Sequence, residues 1–178
     1  ESTLRALQKD VSFLLKRESS MHVLLTGAHG QLGNELKRLF ESGVSEIGPI
    51  PELFVSPDVD YTDADELDIT SSEAVNTWFG QHERYDLVIN CAAATNVDGC
   101  ESNFDMAFAV NALGPMNLAR ACSTTQTKLV QVSTDYVFSG KERFPRTEQD
   151  APCPVSAYGR SKLAGEGLAL AANPQTFV

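Results

Sequence analysis

A chain of 178 residues, 42% hydrophobic and 21% charged, is long enough to bury a core and too apolar to stay disordered. Its formal net charge of −10 repels anionic surfaces, so neither nucleic acid nor an acidic membrane is an expected partner. No apolar run reaches the roughly 18 residues of a membrane span and no signal-peptide layout opens the chain, so a cytoplasmic protein with a small-molecule partner is the expectation.

Residues 1–20 carry an apolar stripe, Leu4, Leu7, Val11, Leu14 and Leu15, on an otherwise charged stretch, and predict a helical extension or linker. Met21 then marks the expected start of a second unit, 21–178. There "MHVLLTG" (21–27) is a short apolar run ending in glycine. "QLGNELKRLF" follows with Leu32, Leu36, Leu39 and Phe40 at helical spacing, so the order is strand, turn, helix. Between 45 and 75 three short pieces compete as strands: "LFV" (53–55), "VDY" (59–61) and "ELDIT" (66–70). The expectation is a poorly defined second strand and a third at "LDI".

"YDLVINCAAAT" (85–95) predicts a buried strand, "FDMAFAVNALGPMNLARAC" (104–122) a largely apolar helix and "KLVQVSTDYVF" (128–138) a further strong strand. Asn111 interrupts the apolar helix; its expected role is to satisfy the core or kink the helix, with a water-holding part in proton relay as the alternative. A proline-rich loop leads into a helix bearing Tyr158 and Lys162, and "TFV" (176–178) begins another strand. Strands alternating with helices predict parallel pairing through right-handed crossovers. The expected fold is therefore α/β, a doubly wound parallel sheet, incomplete at its C-terminal end.

Two stretches carry chemistry. "TGAHGQLG" (26–33) sets Gly27, Gly30 and Gly33 between a strand and its helix. Glycines there let backbone N–H groups approach a pyrophosphate at the positive end of the helix. Tyr158 and Lys162, four apart on a helix, fall on one face and point into the same space. Elsewhere the signals are weaker. Cys91, Cys100, Cys122 and Cys153 form no C-x-x-C pair and no histidine cluster accompanies them, so reduced thiols and no metal are expected. Residues 52–73 hold eight acidic side chains and no lysine or arginine, which reads as a solvated acidic edge.

In order, "TGAHGQLG", "LDIT", "NCAAATNVD", "STDYVF" and "YGRSKLAGE" resemble the extended short-chain dehydrogenases/reductases. Within them the chain most resembles the dTDP-4-dehydrorhamnose reductases, from Met21 to its last residue and over their cofactor-binding portion alone. The resemblance implies a Rossmann-type NAD(P)-binding domain that reduces the 4-keto group of a nucleotide sugar with NADPH or NADH. It implies a catalytic Thr134, Tyr158 and Lys162, with Thr134, Tyr136 and Tyr158 at the sugar. Cofactor contacts fall on Gly27, His29, Gly30, Gln31, Leu32, Gly33, Asp68, Ile69, Ala92 and Ala93, and again on Tyr158 and Lys162. The acidic second-strand region disfavours a 2′-phosphate and leans towards NADH, although Lys37 and Arg38 stand near enough in sequence to reach it. Left open are a sister epimerase or dehydratase, a regulatory subunit resembling that of methionine adenosyltransferase, a homodimer, and fusion through residues 1–20 to an upstream epimerase.

Overall fold

The computed structural model describes residues 20–141 and 144–178. The apolar stripe from Leu4 to Leu15 lies outside them. In chain order the elements are β1 (His22–Thr26), α1 (Gln31–Ser42), a hairpin of β2 (Val44–Ser45) and β3 (Gly48–Pro49), a 3-10 turn (Glu52–Phe54), β4 (Asp58–Thr62) and α2 (Ser72–Gln81). Then come β5 (Leu87–Asn90), α3 (Val97–Ser102), α4 (Phe104–Phe108), a π-helical turn (Ala109–Leu113) and α5 (Gly114–Thr125). The rest is β6 (Lys128–Gln131), a 3-10 turn (Asp135–Val137), α6 (Ala157–Ala172) and β7 (Thr176–Phe177). One sheet runs β4-β1-β5-β6-β7 with every pair parallel, the doubly wound arrangement that the alternation of elements predicts.

Strand periodicity builds both faces of that sheet. Val23 and Leu25 of β1 cluster with Leu87 and Ile89 of β5 and Phe40 of α1. The intervening Leu24 and Val88 point the other way, to Val75 of α2, Leu118 and Cys122 of α5 and Ala169 of α6. The register pairs Val23 with Leu87 and Leu24 with Val88, so like-facing side chains lie next to each other. The chain winds from β1 to β4 in one direction and from β5 through β6 to β7 in the other. Its switch point lies between β1 and β5, where such sheets bind ligands beyond the strands' C-terminal ends.

Three expectations need correction. "LDI" is not a strand, although Leu67 and Ile69 are buried and Asp68 exposed in strand-like alternation. Turns hold it instead: Leu67 N donates to Asp63 O, Ser71 N to Asp68 O, and Asp68 Oδ1 accepts from both the N–H and the hydroxyl of Thr70. The place beside β1 belongs to β4, with "VDY" at its centre, paired over five residues. Secondly, the strand expected over 128–138 ends at Gln131. Ser133 Oγ donates to Glu166 of α6, and Thr134 caps a 3-10 turn by accepting from Tyr136 N, so the backbone leaves the sheet.

Thirdly, the helix expected over 104–122 contains the π-helical turn. Pro115 has no N–H to return to the carbonyl of Asn111, four residues back, and the turn widens there. The Asn111 side chain is buried and fully used. Its Oδ1 accepts from Ala94 N at 2.8 Å, and its Nδ2 donates to Ala94 O and to Ser161 Oγ, both at 3.0 Å. Asn111 therefore satisfies the core by tying the loop after β5 to α6.

Candidate active site

Beyond the ends of β1 and β5 lies a cavity of about 540 Å³, within the range usual for small-molecule sites. Its phosphate-binding side is made by the glycine loop. Gly27 has φ of +71°, which favours glycine, and a Cβ there would lie 2.5 Å from Ala92 N. A Cβ on Gly33 would lie 2.4 Å from Gly27 O, so both glycines are required by backbone packed against backbone. α1 begins at Gln31 with Gly30 as its N-cap, and no side chain caps it. Its first-turn N–H groups thus remain available to an anion at the positive end of the helix dipole.

Across the cavity stands α6. Ser156 caps it by accepting from Gly159 N, Glu101 of α3 accepts from Ala157 N at 2.6 Å, and Ser161 Oγ donates to Tyr158 O while accepting from Asn111. So anchored, the helix presents Tyr158 and Lys162, one turn apart, to the cavity. Lys162 Nζ donates to Val132 O at 2.6 Å. Burial pushes its ammonium below the ordinary lysine range, opposed by the Glu166 carboxylate and by Cys91. Burial likewise raises the Cys91 thiol to about 11, with Lys162 opposing. The same Val132 carbonyl accepts from Gln131 Nε2, the last member of a buried polar row. Thr26 Oγ1 donates to Asn90 Oδ1 at 2.5 Å and Asn90 Nδ2 to Gln131 Oε1 at 2.7 Å.

Of the residues expected from sequence, Gly27, Gly30, Gln31, Leu32, Gly33, Asp68, Ile69, Ala92, Ala93, Tyr158 and Lys162 line this one cavity. His29, Thr134 and Tyr136 are not among its lining. His29 is exposed and pairs through Nδ1 with Asp63 Oδ2 at 2.7 Å. Thr134 follows the lining residue Ser133; its hydroxyl accepts from Tyr136 N at 3.2 Å and donates to Asp135 Oδ1 at 3.3 Å. Tyr136 packs edge-on against Tyr158, ring centroids 5.5 Å apart. Sequence reasoning missed Asp63 and Ala64, which line the cavity after β4. The signal was present as a carboxylate directly after the second strand of the sheet, hidden among eight acidic residues.

The residues fit a dinucleotide: a backbone cradle that a Cβ would fill, an uncapped helix N-terminus, and a phenol and an ammonium at the far side. Gly30 lines the cavity, and a Cβ there would approach Gly27 O to 3.2 Å, so Gly30→Val must displace the loop. Fluorescence titration of that variant is expected to show dinucleotide affinity reduced at least about tenfold. Unchanged affinity would place the ligand elsewhere.

A dTDP-4-dehydrorhamnose reductase of Mycobacterium tuberculosis is 42% identical over 167 residues, covering 89% of this chain and 49% of that protein. A dTDP-4-dehydrorhamnose reductase structure from Clostridium acetobutylicum superposes with a TM-score of 0.78 at 43% identity, over 88% of this chain and 51% of that one. Another, from Bacillus anthracis in complex with NADP, gives 0.78 at 34% identity, over 89% and 52%. The chain spans about half the length of the curated relatives it matches. Residues 21–178, which hold the whole cavity, match the family described as the RmlD substrate binding domain, and the chain belongs to that family.

Proposed function

We propose that this chain is the dinucleotide-binding portion of an NAD(P)H-dependent reductase that converts dTDP-4-dehydro-L-rhamnose to dTDP-L-rhamnose for cell-surface polysaccharide synthesis. The observation that carries this reading is that Tyr158 and Lys162 line the same cavity as the uncapped N-terminus of α1. The reductase names of the relatives and the NADP in the Bacillus anthracis neighbour support it.

The reduced nicotinamide, when bound, supplies hydride to the ketone carbon. Tyr158 gives its phenolic proton to the ketone oxygen as negative charge builds there. Lys162, held by the Val132 carbonyl, keeps an ammonium beside the phenolate that remains. Thr134 turns its hydroxyl from the long 3.3 Å contact with Asp135 Oδ1 to donate a hydrogen bond to the same oxygen. The four cysteines are free thiols, which suits the cytoplasm, where we place the reaction.

The test is oxidation of NAD(P)H by the full-length protein with dTDP-4-dehydro-L-rhamnose, followed by loss of the reduced nicotinamide's absorbance, with the product identified. Stoichiometric oxidation with formation of the 4-hydroxy sugar is expected. Conversion of the sugar without net oxidation would point to a sister epimerase, and no conversion would overturn the reading.

A further inference from the structure

We infer that Glu166, one helical turn beyond Lys162 and tied to Ser133, is a positioning residue for the reduction: it is the counter-charge of the buried Lys162 ammonium. The inference deepens the reductase reading above and rests on it.

Lysine is an uncommon interior residue, because taking an ammonium out of water favours its neutral form. Lys162 is only 4% exposed. As a neutral amine it would leave the Tyr158 phenolate without a cation. The Val132 carbonyl takes one of its N–H groups, but a carbonyl brings a dipole and no net charge. The site therefore needs an anion near Lys162.

Helical spacing supplies it. Residues 158, 162 and 166 follow at four-residue intervals and share one face of α6. Glu166 is half-buried, and Ser133 Oγ donates to its carboxylate. Two successive residues beyond β6 thus grip both side chains: Val132 takes the ammonium and Ser133 the carboxylate. A hydroxyl donor is neutral, so the carboxylate keeps its full charge, and that charge opposes the effect of burial on Lys162.

The other groups around α6 do less. Cys91, after β5, also favours the ammonium, but burial raises its thiol to about 11, so it carries little charge at neutral pH. Glu101 of α3 is engaged at the first turn of α6 by Ala157 N and Arg160. Asp135 is exposed and accepts from Thr134 Oγ1, and the Tyr136 ring packs on Tyr158. Asp98 of α3, Asp105 of α4 and Arg120 of α5 are exposed, and Cys122 of α5 lies in the core. Asp63 and Asp68 line the cavity from the side of β4, three places from β6 in the sheet, which is about 14 Å at ordinary strand spacing.

The experiment compares full-length wild type, Glu166→Gln and Ser133→Ala, with melting curves to verify folding. Glutamine keeps the size and can still accept from Ser133, so the charge alone is lost. The titration midpoint of Lys162 is read without cofactor, by NMR of the lysine Cε signal that Lys162→Met removes. In parallel, kcat/KM with NAD(P)H and the keto sugar is followed against pH. Losing the carboxylate favours the neutral amine, so in Glu166→Gln the midpoint and the alkaline limb of kcat/KM should both move down by about one pH unit. The loss of activity should deepen as pH rises. Ser133→Ala, which frees the carboxylate towards solvent, should move both in the same direction by less, and it carries the test should Glu166→Gln fail to fold. An unmoved Lys162 midpoint overturns the inference, and a loss of activity equal at every pH would then make Glu166 a purely structural residue. A midpoint that moves in a protein unable to reduce the keto sugar would instead overturn the reductase reading and leave the charge pairing standing.

Discussion

Replacing Tyr158 with phenylalanine in the full-length protein is expected to cut turnover by about 10² to 10⁴-fold and to leave dinucleotide affinity within about threefold. Phenylalanine preserves the ring, which is buried to all but 9% and packs edge-on against Tyr136. What is lost is the proton. Lys162 is held by the Val132 carbonyl and not by the phenol, so the ammonium stays in place in the variant. Steady-state kinetics and cofactor titration together make the check. Near-normal turnover would mean that another group protonates the ketone, and a matching collapse of cofactor affinity would make Tyr158 a binding residue first.

Gly165→Ala is expected to be among the most destabilising single changes in the chain, by about 3 kcal/mol, the top of the usual range for overpacking. A Cβ at this position would lie 2.0 Å from Asn111 O, which is backbone and cannot rotate away. α6 and the π-helical turn would have to separate, straining the Asn111–Ser161 hydrogen bond and shifting the helix that bears Tyr158 and Lys162. For a domain of this size that corresponds to a fall in Tm of about 6–12 °C. Gly167, two residues along the same helix, is the control. A Cβ there meets nothing within 4 Å, so Gly167→Ala should be neutral or gain up to about 1 kcal/mol from helix propensity. Equal melting temperatures for the two variants would contradict the close contact between α6 and the π-helical turn.

The contrast between those two glycines shows where sequence reading reaches its limit. Both look like ordinary small residues in an apolar helix, and only the position of Asn111 O, far away in sequence, separates them. What depends on local pattern was legible: the buried runs of β1 and β5, the glycine loop between strand and helix, and the pairing of Tyr158 with Lys162 on one helical face. "LDI" misled because burial of Leu67 and Ile69 around an exposed Asp68 has the same alternation in a turn tucked under the sheet as in a strand. The early end of β6 depends on Ser133 meeting Glu166, thirty-three residues downstream. In the cavity most residues carried by contiguous motifs came together, whereas His29, Thr134 and Tyr136, from the same motifs, are not in its lining. Asp63 and Ala64 escaped because the hairpin of β2 and β3 lengthens the path from α1 to β4, so no fixed spacing from the glycines points to them.

That hairpin also bears on how the molecule tolerates change. α1 starts at the cavity and its twelve residues rise about 18 Å, delivering the chain to the opposite end of the sheet before the hairpin begins. Ile47, at the tip, is 100% exposed. Doubling a loop there costs only about 0.6 kcal/mol in closure entropy. The hairpin is thus a port at which a reporter peptide or a tethering sequence can be spliced into the chain, on the side from which neither the glycine loop nor α6 would register the addition.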